Sequence, residues 1–116
     1  MGAPPPSAVS GQAALAATTL TDVYTVAAIQ KNVILYLKSV FVCNRGAGAT
    51  TFRVAYAPLG AADATSQYLY YDVALAANDT FLLELQRGIR LLPTDVIRVY
   101  TAGASVTAAV FVDTVP

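Results

Sequence analysis

Thirteen consecutive residues without a glycine, a proline or an acidic side chain, NVILYLKSVFVCN at 32–44, set what this chain can fold into. The run is mostly apolar and rich in β-branched and aromatic residues, and it is too long for a loop, so it reads as a long central strand. Pleated backbone sends alternate side chains to opposite faces. One set, Val33, Leu35, Leu37, Ser39, Phe41 and Cys43, is almost wholly apolar and is expected in the core. The other, Ile34, Tyr36, Lys38, Val40, Val42 and Asn44, mixes apolar with polar groups. It is too apolar for open water along its whole length, which implies cover from another layer or another chain.

The remainder of the composition narrows the class. A chain of 116 residues is one domain and can bury roughly two-thirds of the surface its unfolded form exposes. Charged residues make up 12% and hydrophobic ones 56%, against about 25% and about 45–50% in ordinary soluble domains. That deficit of surface charge again implies a partner. Seven Lys and Arg balance seven Asp and Glu, scattered singly, so there is no basic stripe for a phosphate backbone and no nucleic-acid partner is expected. No stretch approaches the ~20 apolar residues of a helical membrane span, and no membrane partner is expected.

The N-terminus, MGAPPPSAVSG, has neither the basic nor the continuous apolar region of a secretory signal. Gly2 begins a near-match to an acylation pattern, but Pro6 stands where Ser or Thr is required. The sequon at 78–80 is equally a turn. Cys43 is the only cysteine, which excludes an internal disulfide, and its expected role is that of a small core hydrophobe.

In chain order, residues 1–11 form a Pro-rich arm in which Pro4, Pro5 and Pro6 favour extended polyproline backbone, and residues 12–116 form the folded domain. Residues 12–20 are Ala-rich enough for a helical turn, yet the paired threonines favour an edge strand. Short strands follow at 23–26, then the central strand after a turn at 30–32. A loop at 44–48 leads to 51–57, which is expected to form an antiparallel hairpin with the central strand, with Phe52, Val54 and Tyr56 on one face. Further strands fall at 68–73, at 80–85 with Phe81, Leu83 and Leu85 inward, and in a final hairpin of 96–100 with 106–113. Seven to eight strands and no convincing helix predict an all-β fold, a two-sheet antiparallel sandwich of jelly-roll or immunoglobulin-like topology.

Catalytic chemistry has little to work with. The chain has no histidine, the commonest general base and metal ligand. Asp22, Asp79 and Asp95 sit where turns use an Asx side chain, Asp63 lies in a loop, and Asp72, Glu84 and Asp113 lie on or beside strands. No calcium-loop cluster occurs, and the two glycines at 46 and 48 precede a strand instead of the helix a phosphate loop requires. No enzyme activity, metal or cofactor is expected.

The seven tyrosines say more. Alternation puts Tyr68 and Tyr70 on one face with Asp72, either as a stacking surface for a sugar ring or protein partner or as cross-strand packing. The candidate interface residues are therefore Tyr68 and Tyr70, Tyr36 and Lys38 on the second face of the central strand, and Pro4, Pro5 and Pro6 of the arm.

The segments TLTDVYTV (19–26), VFVCN (40–44), TFRVA (51–55), LAANDT (75–80) and LPTDVIRVY (92–100) together have a recognisable rhythm. It resembles that of small β-sandwich virion proteins of tailed bacteriophages, over about residues 18–113. Ala27 and Asn78 depart from the family's usual Pro and Gly, both in turns. The resemblance implies a structural protein of the virion, foremost a capsid cement or decoration protein. Such a protein bridges and stabilises neighbouring major-capsid subunits by buried area and a wrapping arm, as a homo-oligomer for which a trimer is one arrangement. A tail or fibre component, or a module binding host-surface glycans, is the alternative.

Overall fold

The computed structural model describes residues 8–27 and 34–115; Pro4, Pro5 and Pro6, the turn expected at 30–32, and Val33 lie outside the described residues. Eight strands follow one another: β1 (Ala8–Leu15), β2 (Thr19–Thr25), β3 (Ile34–Asn44), β4 (Thr50–Ala57), β5 (Tyr68–Leu75), β6 (Thr80–Leu91), β7 (Val96–Thr101) and β8 (Val106–Val115). Two short 3₁₀ turns, Pro58–Gly60 and Thr65–Gln67, lie between β4 and β5. The first strand starts at Ala8, so residues 8–11, expected in the arm, are paired with β8.

The pairing is nested. β1 pairs with β8, β2 with β7, β3 with β6 and β4 with β5, all antiparallel, as though the chain were first doubled into one long hairpin. Contacts of β3 with β8 and of β4 with β7 then roll that hairpin into two four-stranded sheets, ordered β1-β8-β3-β6 and β2-β7-β4-β5. This is a jelly roll, which settles the choice against the immunoglobulin-like order. It also corrects two expectations. β3 and β4, and likewise β7 and β8, lie in opposite sheets and are joined across the sandwich, so neither pair is a hairpin. Of the consecutive strands, only β4 and β5 pair directly.

The core lies between the sheets. Leu37, Val40, Val42 and Val110 of the first sheet meet Phe52, Val54, Ile97 and Val99 of the second, all fully buried. Each such side chain contributes about 1.5–3 kcal/mol relative to exposure. Phe52 packs on Phe81 with ring centroids 4.8 Å apart. Phe81, Leu83 and Leu85 turn inward as the alternation of β6 predicts.

The central strand does not keep one phase. Its register against both neighbours shifts between Leu37 and Ser39, leaving Lys38 as an extra residue. Leu35 and Leu37 face the core before this bulge; Val40, Val42 and Asn44 face it afterwards. Phe41 and Cys43, expected inside, are therefore on the outer face, because one inserted residue reverses every side chain beyond it. Opposite Lys38, β6 makes a four-residue excursion at 85–88 that closes at Gly88, whose φ is +77°. A Cβ there would lie 3.0 Å from the Tyr36 Cβ, so a side chain would be strained both by the backbone conformation and by this contact.

Bulges also mark the other edges. Register breaks fall at Val9/Gly11 in β1, at Asp22/Tyr24 in β2 and at 69 and 71–72 in β5. All four edge strands thus depart from the flat, regular ladder that invites another strand to pair.

Candidate interaction surfaces

The two outer faces of the sandwich differ in kind. On the first sheet, outward positions line up in rows across the strands. One row is Gln12, Ala109, Phe41 and Leu82, and the next is Ala14, Thr107, Cys43 and Thr80. None of these eight is charged. The rings of Phe41 and Phe111 pack at a tilt with centroids 5.2 Å apart, Leu82 is 45% exposed, and the depression between β1 and Phe41 measures about 620 Å³. Charge enters in the adjoining row, where Glu84 sits beside Ser39 and Phe111, and farther along at Arg90 and Asp113 on either side of Tyr36.

The outer face of the second sheet is covered by its own chain at one end and tied up by ion pairs along the rest. Loop residues 58–67 lie over its end, where Gly60 sits against the buried Val96. Arg98 donates through Nε to Asp22 Oδ1 at 2.8 Å and through Nη1 to the Ala61 carbonyl at 2.8 Å. Arg53 donates to Asp72 at 2.6 Å, and its guanidinium lies over the rings of Tyr71 and Tyr100 at 4.0 and 4.4 Å. The hydrogen bond to Asp72 chiefly raises the Arg53 pKa further above its already high value. Tyr68 meets Tyr71 edge-on at 5.1 Å and donates its hydroxyl to Asp63. Burial first and that hydrogen bond second push the Tyr68 phenol up.

Buried polar residues hold the loops, Asp95 and Asn44 with the most bonds. Asp95, 1% exposed, accepts from the Tyr56 hydroxyl at 2.6 Å and from the amides of Leu59 and Leu92 at 2.8 and 2.9 Å. Three donors replace the water this carboxylate loses. Burial and this bond push the Tyr56 phenol up to about 12. Asn44 donates to the carbonyls of Gly48 and Ala76 and accepts from the Gly46 amide, which joins the 45–48 loop to the turn after β5. These are structural uses of polar side chains. Among the described residues, no three His, Cys, Asp or Glu side chains gather where they could hold a metal ion.

The sequence-predicted surface residues do not form one site. Tyr36 is on the outer face of the first sheet, and Lys38 is spent on its bulge, donating Nζ to the Gln86 carbonyl at 2.9 Å. Tyr68 and Tyr70 are separated. The extra residue at 69 leaves Tyr68 outward, while Tyr70 turns in against Phe81 at 5.2 Å. Tyr71, 54% exposed, takes the outward place expected of Tyr70. Phe41 was expected in the core, and Leu82, Ala109 and Phe111 were not singled out as interface residues. The signal for them was the polar pair Lys38-Ser39, which interrupts an apolar alternation and marks the phase change. The chain has no match among protein-family models, curated proteins or solved structures.

Proposed function

We propose that this chain is a structural protein of a tailed-phage virion, a capsid cement or decoration subunit that bridges neighbouring major-capsid subunits and stabilises them. The observation that carries the reading is the uncharged patch around Phe41, Leu82 and Ala109 on the outer face of the first sheet, on a sandwich whose edge strands are all bulged. Such a surface suits cover by flat contact instead of strand addition. The sequence rhythm shared with small phage virion proteins supports the same reading, and jelly rolls serve in viral capsid domains, although a fold alone does not carry a function. The mechanism is mechanical: buried area at subunit contacts, with no chemical step. Quantitative mass spectrometry of purified particles from the source tests it. A copy number comparable to that of the major capsid protein supports cement, a handful of copies moves the chain to the tail or a fibre, and absence from particles overturns the virion reading.

One observation favours a second reading, a host-glycan-binding module. Tyr71 presents ring surface beside Tyr68, with Asp63, Asp72 and Arg53 around them. Aromatic faces with planar polar groups are what a sugar ring stacks against. A glycan array discriminates: binding that is lost in Tyr71→Ala supports the module, and an array without hits removes it.

A further inference from the structure

We infer that the outer face of the first sheet is the contact between two copies of this chain, packed sheet against sheet. The inference stands whether or not the chain belongs to a virion. Four strands at ~4.8 Å and about eight residues at ~3.3 Å give that face an area of roughly 500 Å² in plan. Two such faces bury about 1,000 Å², the lower limit for a specific interface. A face of this kind left in water is costly, because a singly solvated antiparallel sheet normally turns polar side chains outward.

The choice of occupant follows from charge and shape. The centre, the two rows through Phe41 and Cys43, holds no charged group, and Glu84 enters only in the next row, with Phe111 and Ser39, so the centre gives nothing to a highly charged partner such as a nucleic acid. An identical face brings the same uncharged centre and no charge to strand beneath it. At one end, Glu84 and Asp113 accompany Arg90, so the rim carries both signs and is neither strongly acidic nor strongly basic toward its own copy. A two-fold contact needs a patch that complements itself in this way. The bulged edges argue against the competing route, a sheet continued from one copy into the next. A flat face covers one other flat face, so this contact makes pairs; a ring of three would use a different surface.

Sedimentation over about 1 μM to about 500 μM, where an interface of this size populates, tests the inference on the full chain. The parent is expected to pass from monomer to dimer. Leu82→Glu and Ala109→Glu, which place a carboxylate in the centre of the face, are expected to weaken association at least tenfold. Leu82→Glu, exposed on an edge strand, is expected to keep the parent's circular-dichroism spectrum. Leu59→Glu, on the loop over the other sheet and 69% exposed, is expected to change nothing. A parent that stays monomeric throughout overturns the inference, and so does a dimer insensitive to both face substitutions. Two controls on a monomeric parent name what covers the face instead. Dimerisation on removal of residues 1–7 assigns it to the chain's own N-terminal segment, and co-flotation with phosphatidylcholine vesicles assigns it to lipid.

Discussion

The two sheets of this sandwich have the same number of strands and the same antiparallel pairing, yet their outer faces have opposite fates. The second sheet finishes itself: loop 58–67 lies over one end, and Arg53 and Arg98 are pinned among tyrosines and carboxylates. The first sheet carries Phe41, Phe111, Leu82 and Ala109, none of them charged and, among the described residues, with no loop laid over them. Part of this difference begins at one residue. Lys38 is bulged out of β3, and the reversal beyond it sends Phe41 and Cys43 outward while Val40 and Val42 fill the core. A half-turn of phase in the central strand therefore adds a large aromatic side chain to a surface. Two of the rows across that surface carry none of the chain's few charges.

The comparison breaks first at β3. Leu37→Ala, at a fully buried position, is expected to cost about 2–5 kcal/mol, whereas Phe41→Ala, half-buried outside, is expected to cost only about 1–2 kcal/mol. Denaturant unfolding of the pair at low concentration checks this. Equal losses, or a Phe41→Ala loss in the ~3–5 kcal/mol range of a core aromatic, mean that β3 is not bulged.

A smaller effect sharpens the other side of the contrast. Arg53→Ala removes an exposed ion pair and the cation–π contacts to Tyr71 and Tyr100 from the second sheet, all weakened by solvent screening. It is expected to lower the melting temperature slightly and leave association unchanged. A change in oligomeric state would move the contact to the wrong sheet.

The smallest effect is a dependence on pH. Tyr56 binds Asp95, which also holds the Leu59 amide and so the loop over the second sheet. The folded phenol keeps its proton to about 12, against an ordinary value of 10.0. Between those values the unfolded chain holds fewer protons, so stability falls as pH rises through the window and is fully present below it. Parent and Tyr56→Phe melting curves compared across pH 9–12 read this out: the excess alkaline loss of the parent is expected to vanish in the variant. Parallel curves would mean that the hydroxyl is not held.

The strand content, the two-sheet sandwich and the inward sets of β4 and β6 were legible because alternation over a run of that length has no other use. Topology was not. Loops such as 44–48 and 101–105 look the same in a sequence whether they join neighbours in a sheet or cross to the other sheet. The bulges were hidden for a related reason. Tyr70-Tyr71-Asp72 offers three residues able to face out, and only the register break and the positive φ of Asp72 decide which of them do. Lys38-Ser39 did carry a signal, since strict alternation would bury one of two adjacent polar residues. Asp95 was legible as a turn residue, but its bond to Tyr56, 39 positions away, was not.

The most direct test of the contrast is the reactivity of Cys43, the only thiol in the chain. Outside on the first sheet, it lines the open depression beside Phe41. In dilute native protein, a small alkylating reagent is expected to modify it far faster than the chain unfolds, and the rate is expected to fall as protein concentration rises and a second copy covers the face. A thiol that reacts only at the global unfolding rate, at every concentration, would put Cys43 back in the core and contradict the bulge, the bare face and the pairing drawn from them.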